Sequence, residues 1–150
     1  MKNPVFRLTQ YLNCCIMISN SLIAPCGMDC GICLAFLREK NTCRGCREVS
    51  EHKPEYCKRC IIINCESLSR TDSKFCYDCE KYPCRRLKQL DKRYRTKYKM
   101  SMLDNLESIR DNGLESFVSE ENKRWTCPVC GKILCVHREY CIHCKGIRNL

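Results

Sequence analysis

A small α+β fold stabilised by metal is what this chain predicts, with an irregular cysteine-rich knuckle core, a helical middle segment and a C-terminal zinc ribbon. Three observations predict it. First, 18 of the 150 residues are cysteine. Twelve of them form C-x-x-C pairs: Cys30/Cys33, Cys43/Cys46, Cys57/Cys60, Cys76/Cys79, Cys127/Cys130 and Cys141/Cys144. Two intervening residues let a tight turn aim both thiolates at one ion, and two such knuckles complete a tetrahedral site. One pair alone would fit a redox dithiol; six in a short chain fit a metal framework. Second, apolar residues make up 44% of the chain, but cysteine supplies 18 of them, which leaves little for an ordinary core. A structural zinc contributes on the order of 10–16 kcal/mol of coupled folding free energy. A whole domain is typically stable by only about 5–15 kcal/mol, so bound ions should dominate. Third, the cysteine-free stretch after Cys84 carries helical periodicity.

Residues 1–22 read as an N-terminal arm. The arm holds Cys14 and Cys15, and adjacent cysteines rarely serve one ion. Met17 lies shortly before the first ligand group and is a plausible translation start. Lys2 and Arg7 precede an apolar patch from Leu12 to Ala24, but Asn13, Ser19, Asn20 and Ser21 break it. A signal peptide needs a continuous apolar run of about 7–15 residues. No stretch reaches the ~18 apolar residues that cross a bilayer. A reducing cytoplasm, where thiols persist and bind metal, is therefore the expected compartment, with no membrane partner.

Residues 23–84 form the cysteine-rich core, whose expected ligands are Cys26, Cys30, Cys33, Cys43, Cys46, Cys57, Cys60, Cys65, Cys76, Cys79 and Cys84. A helix of one or two turns is expected over Leu34, Ala35, Phe36 and Leu37. Cys57-x2-Cys60-x4-Cys65 recurs as Cys76-x2-Cys79-x4-Cys84, a local duplication of two arms that each donate a third ligand. Ile61, Ile62 and Ile63 predict a short strand or packed turn. Eleven ligands do not divide into four-cysteine sites. A third site could be completed by His52, by Asp29 or by water, or the set could form a polynuclear cluster. His52, in a Glu-His-Lys-Pro context, otherwise reads as a solvent-exposed histidine.

Residues 85–124 form the helical segment. Leu87, Leu90, Tyr94 and Tyr98 recur at steps of three and four; Ser101 with Asp104 resembles a helix-start cap. Met102, Leu103, Leu106 and Ile109 give a second apolar face, Asn112-Gly113 a stop, and Leu114, Phe117 and Val118 a short third helix.

Residues 125–150 read as a separate zinc ribbon. Its expected ligands are Cys127, Cys130, Cys141 and Cys144, with Gly131 at positive φ where the chain reverses. Between the knuckles, Ile133, Cys135 and His137 alternate with Leu134, Val136 and Arg138, as in a strand. Cys135 and His137 thus share one strand face, with packing beside the metal as their expected role and ligation or a redox-sensitive site as the alternatives. Trp125 is expected to pack as a lid on the ribbon.

The metal is expected to be zinc at the ribbon, and zinc in the core with an iron–sulfur cluster as the alternative. The spacing Cys26-x3-Cys30-x2-Cys33 is also that of radical S-adenosylmethionine enzymes, but the chain lacks the length and alternating elements of their barrel. No serine or cysteine nucleophile with a matching base, no phosphate loop and no carboxylate pair stands out, so ordinary transfer or hydrolytic catalysis is not expected.

Formal net charge is +10 with every cysteine neutral. A zinc with four thiolates carries −2, so four such sites would lower the total to about +2. Any electrostatic partner must then be read from local patches. The strongest patch is Arg85, Arg86, Lys88, Lys92, Arg93, Arg95, Lys97 and Lys99, with Asp91 the one acid and Tyr94 and Tyr98 interleaved. Such a helix could track phosphates, with tyrosines for stacking. Asp104, Glu107, Asp111, Glu115, Glu120 and Glu121 follow and could neutralise it within the fold.

The combination of Cys26-Gly-x-x-Cys30-x-x-Cys33, the two C-x2-C-x4-C arms, Tyr82-Pro83-Cys84 and the run from Leu90 to Tyr98 resembles the small prokaryotic family known as domain of unknown function 3795. The resemblance runs from about Ile23 to Leu90, and the helical segment with Trp125-x-Cys-Pro-x-Cys-Gly is similar to the longer archaeal members. It implies metal ligation by the matching cysteines and lends no activity; the arm with Cys14 and Cys15 departs from it. The expected function is multi-site metal binding, mainly zinc, in a non-catalytic interaction module whose partner is nucleic acid or a protein assembly. The alternative is an iron–sulfur electron-transfer protein.

Overall fold

The computed structural model describes residues 17–149, so the expected arm with Cys14 and Cys15 lies outside the described residues except at its end. Three short helices punctuate the cysteine-rich part: α1 (Leu34–Leu37), α2 (Glu55–Lys58) and α3 (Glu66–Ser69). Three longer ones follow: α4 (Arg85–Tyr98), α5 (Met102–Asn112) and α6 (Leu114–Arg124).

The long helices begin and end where local chemistry dictates. Lys99 takes a left-handed conformation (φ 58°) and closes α4 by donating its N–H to Tyr94 O. The Ser101 hydroxyl oxygen caps α5 by accepting from Asp104 N–H at 3.1 Å. Gly113, at φ 85°, ends α5 and starts α6. α5 packs between α4 and α6, burying Met102, Leu106 and Ile109.

A polar hub welds α4 to α5. Asp91 is buried and accepts from Ser101 Oγ (2.8 Å), Leu103 N–H (3.1 Å) and Arg95 Nε (3.2 Å). These donors hold its carboxyl below the usual carboxylate range despite burial.

The cysteine-rich part is built on turns. The loop Ala24–Met28 closes through Ala24 N–H to Met28 O, and Asn105 of α5 donates its amide to Gly27 O at 2.8 Å. Gly27 has φ +87°, and a Cβ there would lie 2.6 Å from Met102 O and 2.9 Å from Leu106 Cγ. The glycine of Cys26-Gly is thus required twice, by its backbone conformation and by the approach of α5. At the end of the expected arm, Asn122 of α6 grips Ile18 as a backbone would, accepting its N–H (2.8 Å) and donating to its carbonyl (2.9 Å).

The expected α+β class is met in its helical half. Among the described residues there is no strand, only isolated bridges at Ile23/Asp29, Thr126/Ile133 and Tyr140/Ile147. The strand expected from Ile133 to Arg138 does not form, for a reason visible in its neighbours. Ile133, Leu134, Cys135 and Val136 are all buried, so alternation does not separate an inner from an outer face. Leu134 N–H donates to Trp125 O and Val136 N–H to Ile32 O, partners that belong to no ladder. Ile61–Ile63 takes the turn rather than the strand, with the Asn64 amide closing it onto Lys58 O and Cys60 O. One apolar cluster runs from Ile18 through the helices to Cys141, and Trp125, 1% exposed, sits inside it.

Candidate functional site

Two knuckles at the C-terminus are geometric copies. In the first, Gly131 N–H donates to Cys127 O and Cys127 N–H to Lys132 O, both at 2.8 Å. In the second, Lys145 N–H donates to Cys141 O (2.9 Å) and Cys141 N–H to Gly146 O (2.8 Å). The residue four past the leading cysteine is left-handed in both, Gly131 at φ +71° and Lys145 at φ 64°. This repeated turn brings the four sulfurs of Cys127, Cys130, Cys141 and Cys144 within 4.8 Å of one another. Cys127 and Cys144 stand 3.7 Å apart, as do Cys130 and Cys141. A Zn–S bond of ≈2.3 Å puts tetrahedral sulfurs ~3.8 Å apart, so the quartet already has the spacing of a four-thiolate site. The N–H groups of Cys130 and Val129 pull the Cys127 thiol down to about 7. Cys130 is pushed up to about 11: Lys132 N–H favours its thiolate, but desolvation and the neighbouring thiols of Cys141, Cys144 and Cys127 outweigh it. Four sulfurs this close ionise together only around a cation.

The eleven core cysteines are arranged differently. No other group of three or more cysteine, histidine or carboxylate ligands converges to the same spacing among the described residues. Cys65, Cys76, Cys79 and Cys84 line one small apolar cavity of about 50 Å³. Cys76 is pushed up to about 12 by burial and then by the charges of Cys84, Cys65 and Cys79. The internal echo therefore brings one full arm together with the last cysteine of the other.

A second grouping centres on Cys46, whose N–H donates to Cys30 Sγ at 3.3 Å. The thiols of Cys30 and then Cys57 favour the Cys46 thiolate, lowering it while both partners rise. Burial raises Cys26, and raises Cys33 to about 11. Cys43 is buried, and Cys60 lies close enough to act on both Cys26 and Cys76.

Arg47 is a member of this site that spacing rules do not reveal. Its Nε donates to Ile23 O at 2.7 Å, its guanidinium lies 4.6 Å over the Phe75 ring, and the charges of Cys26, Cys30, Cys46 and Cys76 favour its cationic form against burial. Asp29 is fully buried and caps the Cys30–Ile32 turn through Gly31 N–H at 2.7 Å. Burial, then the charge of Glu121, raises its carboxyl to about 7. His52 is exposed.

Cys135 is wholly buried and outside the quartet. His137 has both ring nitrogens engaged: Nδ1 accepts from Leu34 N–H at 3.3 Å, and Nε2 meets Tyr94 Oη at 3.1 Å. A backbone N–H can only donate, so Nδ1 is unprotonated and Nε2 carries the proton. Burial, then Arg138 and Arg148, lowers its pKa, and no lone pair remains for a metal.

The eight basic residues from Arg85 to Lys99 are all exposed. Arg95 is tied to Asp91 and to Asp104 (3.4 Å), which takes one charge partly out of play. Tyr94 and Tyr98 pack their rings on His137 at 5.8 Å and 4.8 Å, so the interleaved tyrosines serve the core rather than a free stacking face. No helix among the described residues is long and apolar enough to cross a membrane, and the 16 described cysteines are free thiols.

Residues 22–89 match the family described as Protein of unknown function (DUF3795). Comparisons with curated proteins and with solved structures return no match.

Proposed function

We propose that this chain, a member of the DUF3795 family through residues 22–89, is a multi-site zinc-binding, non-catalytic interaction module of the cytoplasm that contacts nucleic acid through α4. The observation that carries the metal reading is the tetrahedral sulfur spacing of Cys127, Cys130, Cys141 and Cys144. Zinc there would be a closed structural ion with no open position for catalysis. A second ion is assigned to Cys65, Cys76, Cys79 and Cys84 on their shared cavity. The remaining seven core cysteines, grouped around Cys46, would hold further metal. The exposed basic face of α4 supports the partner.

The metal test is anaerobic purification of the full chain, metal analysis and a visible spectrum. Colourless protein with at least three zinc equivalents is expected. Brown colour from iron and sulfide would move the core to the electron-transfer reading. The partner test is salt-dependent binding of mixed-sequence RNA and DNA; each neutralised phosphate releases counterions, so affinity should fall steeply with salt. Weak, salt-insensitive binding would make a protein the partner.

A further inference from the structure

The helix α4 does not offer its charges uniformly. Beside it, between the segment around Tyr56–Ile62 and the helix, runs an open groove of about 410 Å³. Tyr56, Arg59 and Ile61 line one wall, and Arg86, Gln89 and Arg93 the other. Arg86, Gln89 and Arg93 lie at steps of three and four, one stripe of the helix. Tyr56 is 73% exposed and Ile61 58% exposed, large apolar surfaces left open at the mouth of a positively charged cleft. No carboxylate lines the groove, and the nearby Glu55 is paired with Lys58 at 2.7 Å.

We propose that this groove binds a single-stranded segment of nucleic acid, with a base stacked on Tyr56 and the backbone phosphates held between Arg59 and the Arg86/Arg93 stripe. The proposal rests on the nucleic-acid part of the reading above and locates its contact surface. The volume falls within the ~300–1,000 Å³ of small-molecule sites and so can take a nucleotide unit. Three guanidiniums supply fork-shaped donors for phosphate oxygens. The exposed ring supplies what Tyr94 and Tyr98, occupied by His137, do not. Gln89 adds an amide that can meet a base edge. A duplex keeps its bases stacked on each other and would leave Tyr56 unused, whereas an unpaired strand presents them. An acidic peptide would use the arginines and waste the ring.

The test uses the full, metal-loaded protein and fluorescein-labelled single strands of mixed sequence, with the matching duplex and a polyglutamate peptide as competitors. Tyr56→Ala should weaken single-strand binding by about five- to 150-fold, the range for one lost base stack. Arg59→Glu/Arg86→Glu/Arg93→Glu should abolish it. Lys88→Glu/Lys92→Glu/Lys97→Glu makes the same charge change on the helix outside the groove and should weaken binding only by a few fold. Tyr56→Trp should keep affinity and show fluorescence quenched by the strand, while Trp125, buried, does not respond. The groove is overturned if both triple variants lose affinity equally and Tyr56→Ala is neutral; the broader reading of α4 then stands. It is also overturned if polyglutamate competes as well as the single strand. A parent protein without salt-dependent binding ends both readings.

Discussion

The two cysteine-bearing regions solve the same chemical problem at different ranges. At the C-terminus, two copies of one turn place four sulfurs at tetrahedral spacing, and each turn is specified within six residues. In the core, eleven thiols come from turns, caps and helix ends spread over residues 26–84, and they approach in looser groups around a cavity and around Cys46. Local knuckles can preform a site; on the proposed reading, a dispersed set would be drawn together by the ion and by the helices packed beneath it. The core should therefore depend on both.

The largest effect should come from breaking the preformed quartet. Cys127→Ser/Cys144→Ser in the full chain should lose one zinc equivalent and stability on the order of 10 kcal/mol, enough to unfold the segment. The damage should spread, because Trp125 lies in the shared apolar cluster and Val136 N–H donates to Ile32 O. Hydrogen exchange across α4–α6 should accelerate along with exchange in residues 125–149. Unchanged metal content would refute the assignment.

Gly27→Ala tests whether the core rests on α5. A methyl group 2.6 Å from Met102 O, on a residue at φ +87°, should cost about 3 kcal/mol or more, read as a fall in the denaturation midpoint. Loss of metal from the core but not from the C-terminal quartet would tie the dispersed thiols to helix packing. A variant as stable as the parent would break that link.

Asp91→Asn probes the part held by hydrogen bonds rather than sulfur. Replacing a buried carboxylate that serves Ser101, Leu103 and Arg95 should cost about 2–4 kcal/mol at neutral pH. Its pH dependence follows from a carboxyl held below its ordinary value. The fold favours the ionised form, so the contribution is complete above the unfolded pKa of about 3.9 and is lost as pH falls through the folded value. The difference between parent and variant should begin to shrink below about pH 4 and close only below the folded value, with both measured at equal metal loading. A constant difference down to pH 2–3 would assign the effect to packing instead.

What was legible in the residues was what depends on near neighbours. The spacing of Leu87, Leu90, Tyr94 and Tyr98, the Ser101–Asp104 cap and the Asn112-Gly113 stop all correspond to features of α4–α6. The spacing of the C-terminal quartet was legible too, since both knuckles carry complete C-x-x-C turns. Long-range placement was not legible. Alternation from Ile133 to Arg138 reads as a strand until both of its faces are known to be covered. His137 shares a period with Cys135, yet Leu34 N–H and Tyr94 claim its nitrogens from elsewhere in the chain. Tyr56 precedes and Arg59 sits within the Cys57-x-x-Cys60 pair as unspecified positions, and only the fold puts them opposite Arg86 and Arg93.

The smallest effect sharpens the comparison most finely, because it asks whether a knuckle tolerates what the core loop does not. Gly131 has a positive φ like Gly27, but a Cβ built on it meets nothing within 4 Å. The second knuckle already places Lys145 at the equivalent position with φ 64°. Gly131→Lys therefore rewrites the first turn in the chemistry of the second. Its cost should be the intrinsic left-handed penalty alone, about 1–2 kcal/mol. Zinc content should stay at the parent value, because the N–H bonds that aim Cys127 are made by backbone and survive the change. A loss as large as that of Gly27→Ala would mean the two knuckles are not interchangeable, and that the first is constrained by something beyond its own turn.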